Sequence, residues 1–196
     1  MHPDIRAAFA GLIAALPAPG RVLEVGQHEG EAALIDLPAL AGARERVAFG
    51  LEAGGMPPGV TVVRGNANDL AVLGAEGFDL VLCNSMLEHD PRFWLSLAGM
   101  RRVTRPGGHM ILGVPGYGAM RGRARGWWGR LASSIRGDRA DAQAASTSTL
   151  GLHGYPSDYY RFSRAAVEEV FLEGCEERRV FEVMDPPRFI GVGRKA

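Results

Sequence analysis

Apolar positions recur along the chain in short blocks whose spacing alternates between helical and extended. Ile5, Phe9, Leu12, Ile13 and Leu16 fall at helical spacing, and Pro17, Pro19 and Gly20 end the run, which predicts one amphipathic helix at the start. The apolar block Arg21 to Val25 breaks at Gly26 and predicts a strand. The stretch EAALIDLPALAG after it reads as a helix interrupted at Pro38. Arg46 to Glu52 predicts a second strand, ending on an acid, and Gly59 to Gly65 a third, running into the polar NANDL. Phe78 to Asn84 is apolar almost throughout, the pattern of a central parallel strand covered on both faces.

The helix expected next carries strong signals. Asp90 is placed as N-cap, Pro91 at N1, and Phe93, Trp94, Leu97, Met100 and Val103 share one face. Arg101, Arg102 and Arg105 lie toward its end, and Pro106-Gly107 terminates it. Gly107 to Pro115 predicts a fifth strand. Ser163 to Phe171 predicts a helix capped by Ser163 and closed near Gly174, and the C-terminal segment supplies two strands about a Pro186-Pro187 turn, an antiparallel hairpin at the sheet edge. This alternation predicts an α/β fold, doubly wound around a mostly parallel sheet of seven strands.

A length of 196 residues bounds this pattern to one domain spanning 1–196. Tyr117 to Ser148, rich in Gly, Arg, Ala and Ser, fits no element and reads as an insertion. Lys plus Arg and Asp plus Glu number 22 each, so no global field draws the protein to nucleic acid or to an anionic membrane. Cys83 and Cys175 stand far apart, with neither CxxC spacing nor a histidine pair beside them, which argues against a disulfide framework and a metal site. No run approaches the length of a membrane span, and the N-terminal segment lacks the layout of a signal peptide, so the expected location is the cytoplasm.

In an open parallel sheet, ligands sit beyond the carboxyl ends of the strands where strand order reverses. Those positions are polar here. LEVGQHEGE follows the first strand, with Glu24 two residues before Gly26 and Gly30 where the next helix is expected, a turn that suits close backbone approach to a ligand. Glu52 closes the second strand, where a carboxylate accepts hydrogen bonds from a ribose diol. GNAND closes the third strand and CNSMLEHD the fourth.

With these four ends in order, and with FDLVLCNSMLEH followed by MRRVTRPGGHMILGVP, the sequence resembles the class I S-adenosylmethionine-dependent methyltransferases. The resemblance runs from Arg21 to Pro115 and resumes at HGYPSDYYRFSRAAVEEVF. It implies a Rossmann-like sheet, S-adenosylmethionine as cofactor, no metal, and methyl transfer to a small-molecule acceptor. Carried over by position, Glu24, Gly26, Gln27, His28 and Gly30 match the loop that holds the methionine moiety, and Glu52 matches the ribose acid. Asn66 and Ala67, with Asn68 and Asp69, match the loop beside adenine. Asn84 and Ser85 match the position near the methionine end, with Leu87 to His89 as pocket wall, and His89 is the candidate for accepting a proton from the acceptor.

The family pattern is acid-x-Gly-x-Gly-x-Gly, and His28 occupies the middle glycine. Its side chain points away, caps the helix expected near Gly30, or contacts the cofactor carboxylate. Asp69 reads equally as a helix cap, Asp90 as a cap, and His153, Tyr155, Asp158, Tyr159 and Tyr160 as a polar aromatic cluster near the acceptor site. Residues 118–148 are expected to form a mobile cover over that site, with its arginines (Arg121, Arg123, Arg125, Arg130, Arg136 and Arg139) offering a weak contact to an anionic surface. Two other classes compete: a non-catalytic binding module that keeps the fold, and a dinucleotide oxidoreductase, against which the missing G-x-G-x-x-G argues.

Overall fold

The structure is a computed structural model and describes residues 1–29, 32–117, 157–184 and 187–196. Seven strands form one sheet: β1 (Arg21–Val25), β2 (Glu45–Gly50), β3 (Val60–Arg64), β4 (Phe78–Asn84), β5 (Thr104–Pro115), β6 (Cys175–Val183) and β7 (Arg188–Lys195). Their order is β3-β2-β1-β4-β5-β7-β6. The first five strands pair in parallel, and β7 lies antiparallel between β5 and β6. Strand order reverses between β1 and β4, so a crevice opens beyond their carboxyl ends.

Side-chain alternation divides the core between the two faces of this sheet. Leu23 and Val25 of β1, with Val81 and Cys83 of β4, pack toward α2 (Phe93–Val103), which contributes Leu97, Met100 and Val103. Val22, Leu80 and Leu82 pack on the opposite face against Ile5, Phe9 and Ile13 of α1 (Pro3–Ala14). Because both faces are covered, β1 and β4 carry continuous rather than alternating apolar runs. Both cysteines are buried and free.

Several local expectations are corrected. No α-helix forms over 32–42; the segment is irregular apart from a 3₁₀ turn at Pro38–Leu40. The N–H groups of Leu34 and Ile35 are taken by the carboxylate of Glu24 instead of by carbonyls four residues back. Consecutive burial of Ala33, Leu34 and Ile35 against α1 also leaves no polar face for a helix. The strand β2 ends at Gly50, so Glu52 lies in the turn beyond it.

The helix α2 begins at Phe93. A 3₁₀ turn at Leu87–His89 precedes it, and Asp90 caps the approach by accepting from Arg92 N at 2.9 Å. Trp94 does not share the buried face: it is 51% exposed, while Phe93 packs edge-on against Tyr160 and Phe162. The helix ends at Val103, where Thr104 Oγ1 donates to the Met100 carbonyl. Pro106-Gly107 therefore lies inside the irregular start of β5 rather than ending the helix. Ser163 does cap, accepting from Ala166 N at 3.0 Å, but the turn that follows is π-helical at Ala166–Phe171. Gly30, residues 118–148, His153, Tyr155 and Pro186 lie outside the described residues.

Candidate functional site

The turn after β1 is fastened to the end of β2. Gly26, at φ +87°, donates to the Phe49 carbonyl at 2.8 Å, and Gln27 N reaches the same oxygen at 3.1 Å. The Gln27 side chain spans the gap: its Oε1 accepts from Gly54 N at 3.0 Å and its Nε2 donates to the His28 carbonyl at 2.6 Å. This closeness requires glycine at position 50, where a Cβ would stand 2.2 Å from the Gln27 carbonyl oxygen. Glu29 N adds a bond to the Glu52 carbonyl at 2.9 Å.

The His28 ring turns toward the turn after β2. Its Nε2 lies 2.7 Å from Glu52 Oε2, and its Nδ1 lies 2.8 Å from the Glu29 carbonyl. Glu24 is buried beneath the turn, where Oε1 accepts from Leu34 N at 3.0 Å and Oε2 from Ile35 N at 2.8 Å. It organises the loop from below and borders a small void shared with Met1, Ala33 and Asn84.

A cavity of about 460 Å³ opens beyond the strand ends. The β1 turn brings Gly26, Gln27 and His28 to it, the β2 turn brings Glu52, and the β3 end brings Asn66, Ala67 and Asn68. Past β4 stand Asn84, Ser85 and His89. Asp69 is not among its walls: it is exposed, and its Oδ1 accepts from Ala71 N at 3.0 Å as a turn cap. Leu87 and Glu88 point inward and are fully buried. Sequence reasoning missed Gly50, Leu51, Met86, Arg92 and Ser157 as walls. Asp90 caps the approach to α2 and also lines the cavity, where it holds the Asn68 amide at 2.6 Å, while Ser96 Oγ donates to the same carboxylate oxygen at 2.6 Å.

The β4 end carries a strained residue and a buried charge pair. Ser85 has φ +55°. Its Oγ accepts from Asn84 Nδ2 at 3.0 Å and from the Arg188 guanidinium on β7. Arg188 also faces Glu88, at 3.7 Å. Burial pushes the Glu88 carboxyl up to about 7, and Arg188 offsets this only in part because the pair is longer than a hydrogen bond. Burial lowers the His89 imidazole below its ordinary range, with Asp158 and the Ser157 backbone working against that, so His89 is held neutral near pH 7. Asp158 forms a two-pronged ion pair with Arg161, and Tyr160 packs on Phe93 while its hydroxyl donates to the Pro91 carbonyl at 3.1 Å. Among the described residues, no cluster of His, Cys, Asp and Glu is arranged to hold a metal.

Residues 23–112 match the methyltransferase domain family. No curated protein matches the sequence. Among solved structures, the chain is similar to the 1,6-didemethyltoxoflavin-N1-methyltransferase of Burkholderia thailandensis with bound 1,6-didemethyltoxoflavin and S-adenosylhomocysteine. The TM-score is 0.62 at 19% identity, over 99% of this chain and 79% of that one. It is similar to the N-methyltransferase NodS of Bradyrhizobium japonicum in complex with S-adenosylhomocysteine, with a TM-score of 0.56 at 16% identity over 98% and 86%. A possible exported protein of Bordetella parapertussis aligns with a TM-score of 0.68 at 16% identity over 98% and 67%. The seven-stranded sheet with its antiparallel β7 is the fold these structures share. The family match falls on the strand ends that build the cavity, and the likeness to the solved structures extends the shared fold over the rest of the chain.

Proposed function

We propose that the protein transfers a methyl group to a small-molecule acceptor, with the cofactor held in the cavity beyond β1 to β4. The observation that carries this reading is the meeting of four strand ends at one cavity of about 460 Å³, a size that suits a small ligand. The donor set fits the group. The Glu52 carboxylate suits a ribose diol, and Asn66, Ala67 and Asn68 form a polar wall for adenine. Asn84 Oδ1, buried and without a hydrogen-bond partner among the described residues, is an acceptor suited to the ammonium of a methionine moiety. Gly26, Gln27 and His28 form the methionine loop in this reading, with Glu24 bracing it.

S-adenosylmethionine supplies an electrophilic sulfonium methyl when bound. What remains for the chain is to orient the acceptor and exclude water. His89, neutral near pH 7 and on the cavity wall, is placed to accept a proton from an acceptor hydroxyl or amine. The chain acts as one domain in this reading. Among the described residues no helix is long and apolar enough to cross a membrane, and a cytoplasmic enzyme is the reading we adopt.

Calorimetry with S-adenosylhomocysteine tests this directly. Wild type is expected to bind, and Glu52→Ala to bind about tenfold more weakly, the loss of a charge-assisted hydrogen bond of about 1.5 kcal/mol. Absence of binding by wild type would favour the non-catalytic module.

A further inference from the structure

We propose that His28 is a positioning residue for Glu52, whose protonated imidazole clamps the carboxylate at the cavity rim and so strengthens binding of the ribose diol. The inference rests on the reading of Glu52 as the ribose acid.

The chemistry of the two contacts carries it. Nδ1 lies 2.8 Å from a backbone carbonyl, and Nε2 lies 2.7 Å from a carboxylate oxygen. Both partners are acceptors only, whereas a neutral imidazole carries one N–H and satisfies just one of them. The arrangement is therefore that of an imidazolium, which donates on both sides. When the proton leaves, either the bond to Glu52 or the anchor to Glu29 is lost.

What the clamp holds would otherwise be loose. The Glu52 side chain is 68% exposed and sits in a turn past the end of β2, so fixing it against a ligand costs rotamer freedom. The imidazolium fixes it beforehand through Oε2, leaving Oε1 and the second lone pair of Oε2 for two ribose hydroxyls. The backbone bond from Glu29 N to the Glu52 carbonyl holds the two segments in register, so the side-chain contact requires no loop movement. Among the described residues, the charged groups around the pair are Glu29 of the same loop and Arg64 at the end of β3, 3.7 Å from each other. Met1 and Glu24 border the small void on the other side of His28.

The test uses 5′-methylthioadenosine, whose ribose diol carries no group that titrates between pH 5.5 and 8. Its affinity for wild type, measured by calorimetry, is expected to fall about threefold across that range, the scale of an exposed charge-assisted contact. In His28→Gln the carboxamide N–H reaches for the same oxygen without titrating, so affinity is expected to stay near the wild-type value at low pH and to lose its pH dependence. In His28→Ala it is expected to be flat at the weaker value. A flat or rising wild-type profile, with Glu52→Ala still weakening binding, overturns the clamp and leaves the ribose site standing. A pH dependence that survives in His28→Gln belongs to another group, such as His89, and also overturns it. If Glu52→Ala binds as well as wild type, the ribose assignment fails and the clamp fails with it.

Discussion

Glu88 and Arg188 face each other at 3.7 Å beneath the β4 end, with the acid fully buried and its carboxyl pushed up to about 7. In the unfolded chain this acid titrates near its ordinary value of 4.5. Between those two values the folded state holds a proton that the unfolded state has released, so its contribution to stability is complete at low pH and drains away as pH rises toward 7. Such a span is worth on the order of 3 kcal/mol. Urea denaturation of wild type should show a declining midpoint from pH 5 to pH 8, and Glu88→Gln should remove most of that decline. Equal slopes for the two proteins would show that Glu88 is not the group responsible.

Gly26 is required by its own backbone and by Met86. A Cβ there would stand 2.5 Å from the Met86 Cβ, at φ +87°, so the first collision is with the protein and not with a bound ligand. Gly26→Ala is expected to destabilise the fold by about 2–4 kcal/mol, combining an unfavourable dihedral with overpacking. It should also abolish binding of S-adenosylhomocysteine. A variant with a wild-type urea midpoint would contradict this geometry.

Glu24 holds the 32–35 segment by two backbone N–H groups that have no helix to serve them. Glu24→Ala leaves both donors buried and unmatched, at about 1–3 kcal/mol each. Hydrogen exchange at Leu34 and Ile35 should accelerate by at least tenfold, with a smaller effect in Glu24→Gln, which keeps one acceptor. Unchanged protection at both amides would remove Glu24 from this role.

The strands were readable because their pattern is local. Arg21 to Val25 and Phe78 to Asn84 emerge with the boundaries the sequence predicts, each buried on both faces and closed by a residue that cannot continue the run. The start of α2 was read too early because Asp90 does cap, but across an Asx turn that delays the helix to Phe93. The 32–42 stretch misled because its helix-forming residues are overruled by a carboxylate ten residues back. The site divides in the same way. Positions after each strand could be named from strand ends alone, whereas the pairing of His28 with Glu52 and of Glu88 with Arg188 depends on which turns the sheet order brings together.

Among the described residues the sheet has two free margins, and they are guarded differently. β3 offers five residues and no more, while β6 offers nine but interrupts its register between Glu176 and Arg179, with Glu177 at φ +50°. On that outer strand Glu176, Glu177, Arg178 and Arg179 stand exposed in succession. A neighbouring chain seeking to extend the sheet at β6 would meet a kinked backbone and alternating blocks of unlike charge, each of which would have to shed water to pair. The C-terminal hairpin thus does more than complete the sheet: among the described residues, its kinked and charged outer strand disfavours strand addition at one margin, and the other margin offers only the short β3.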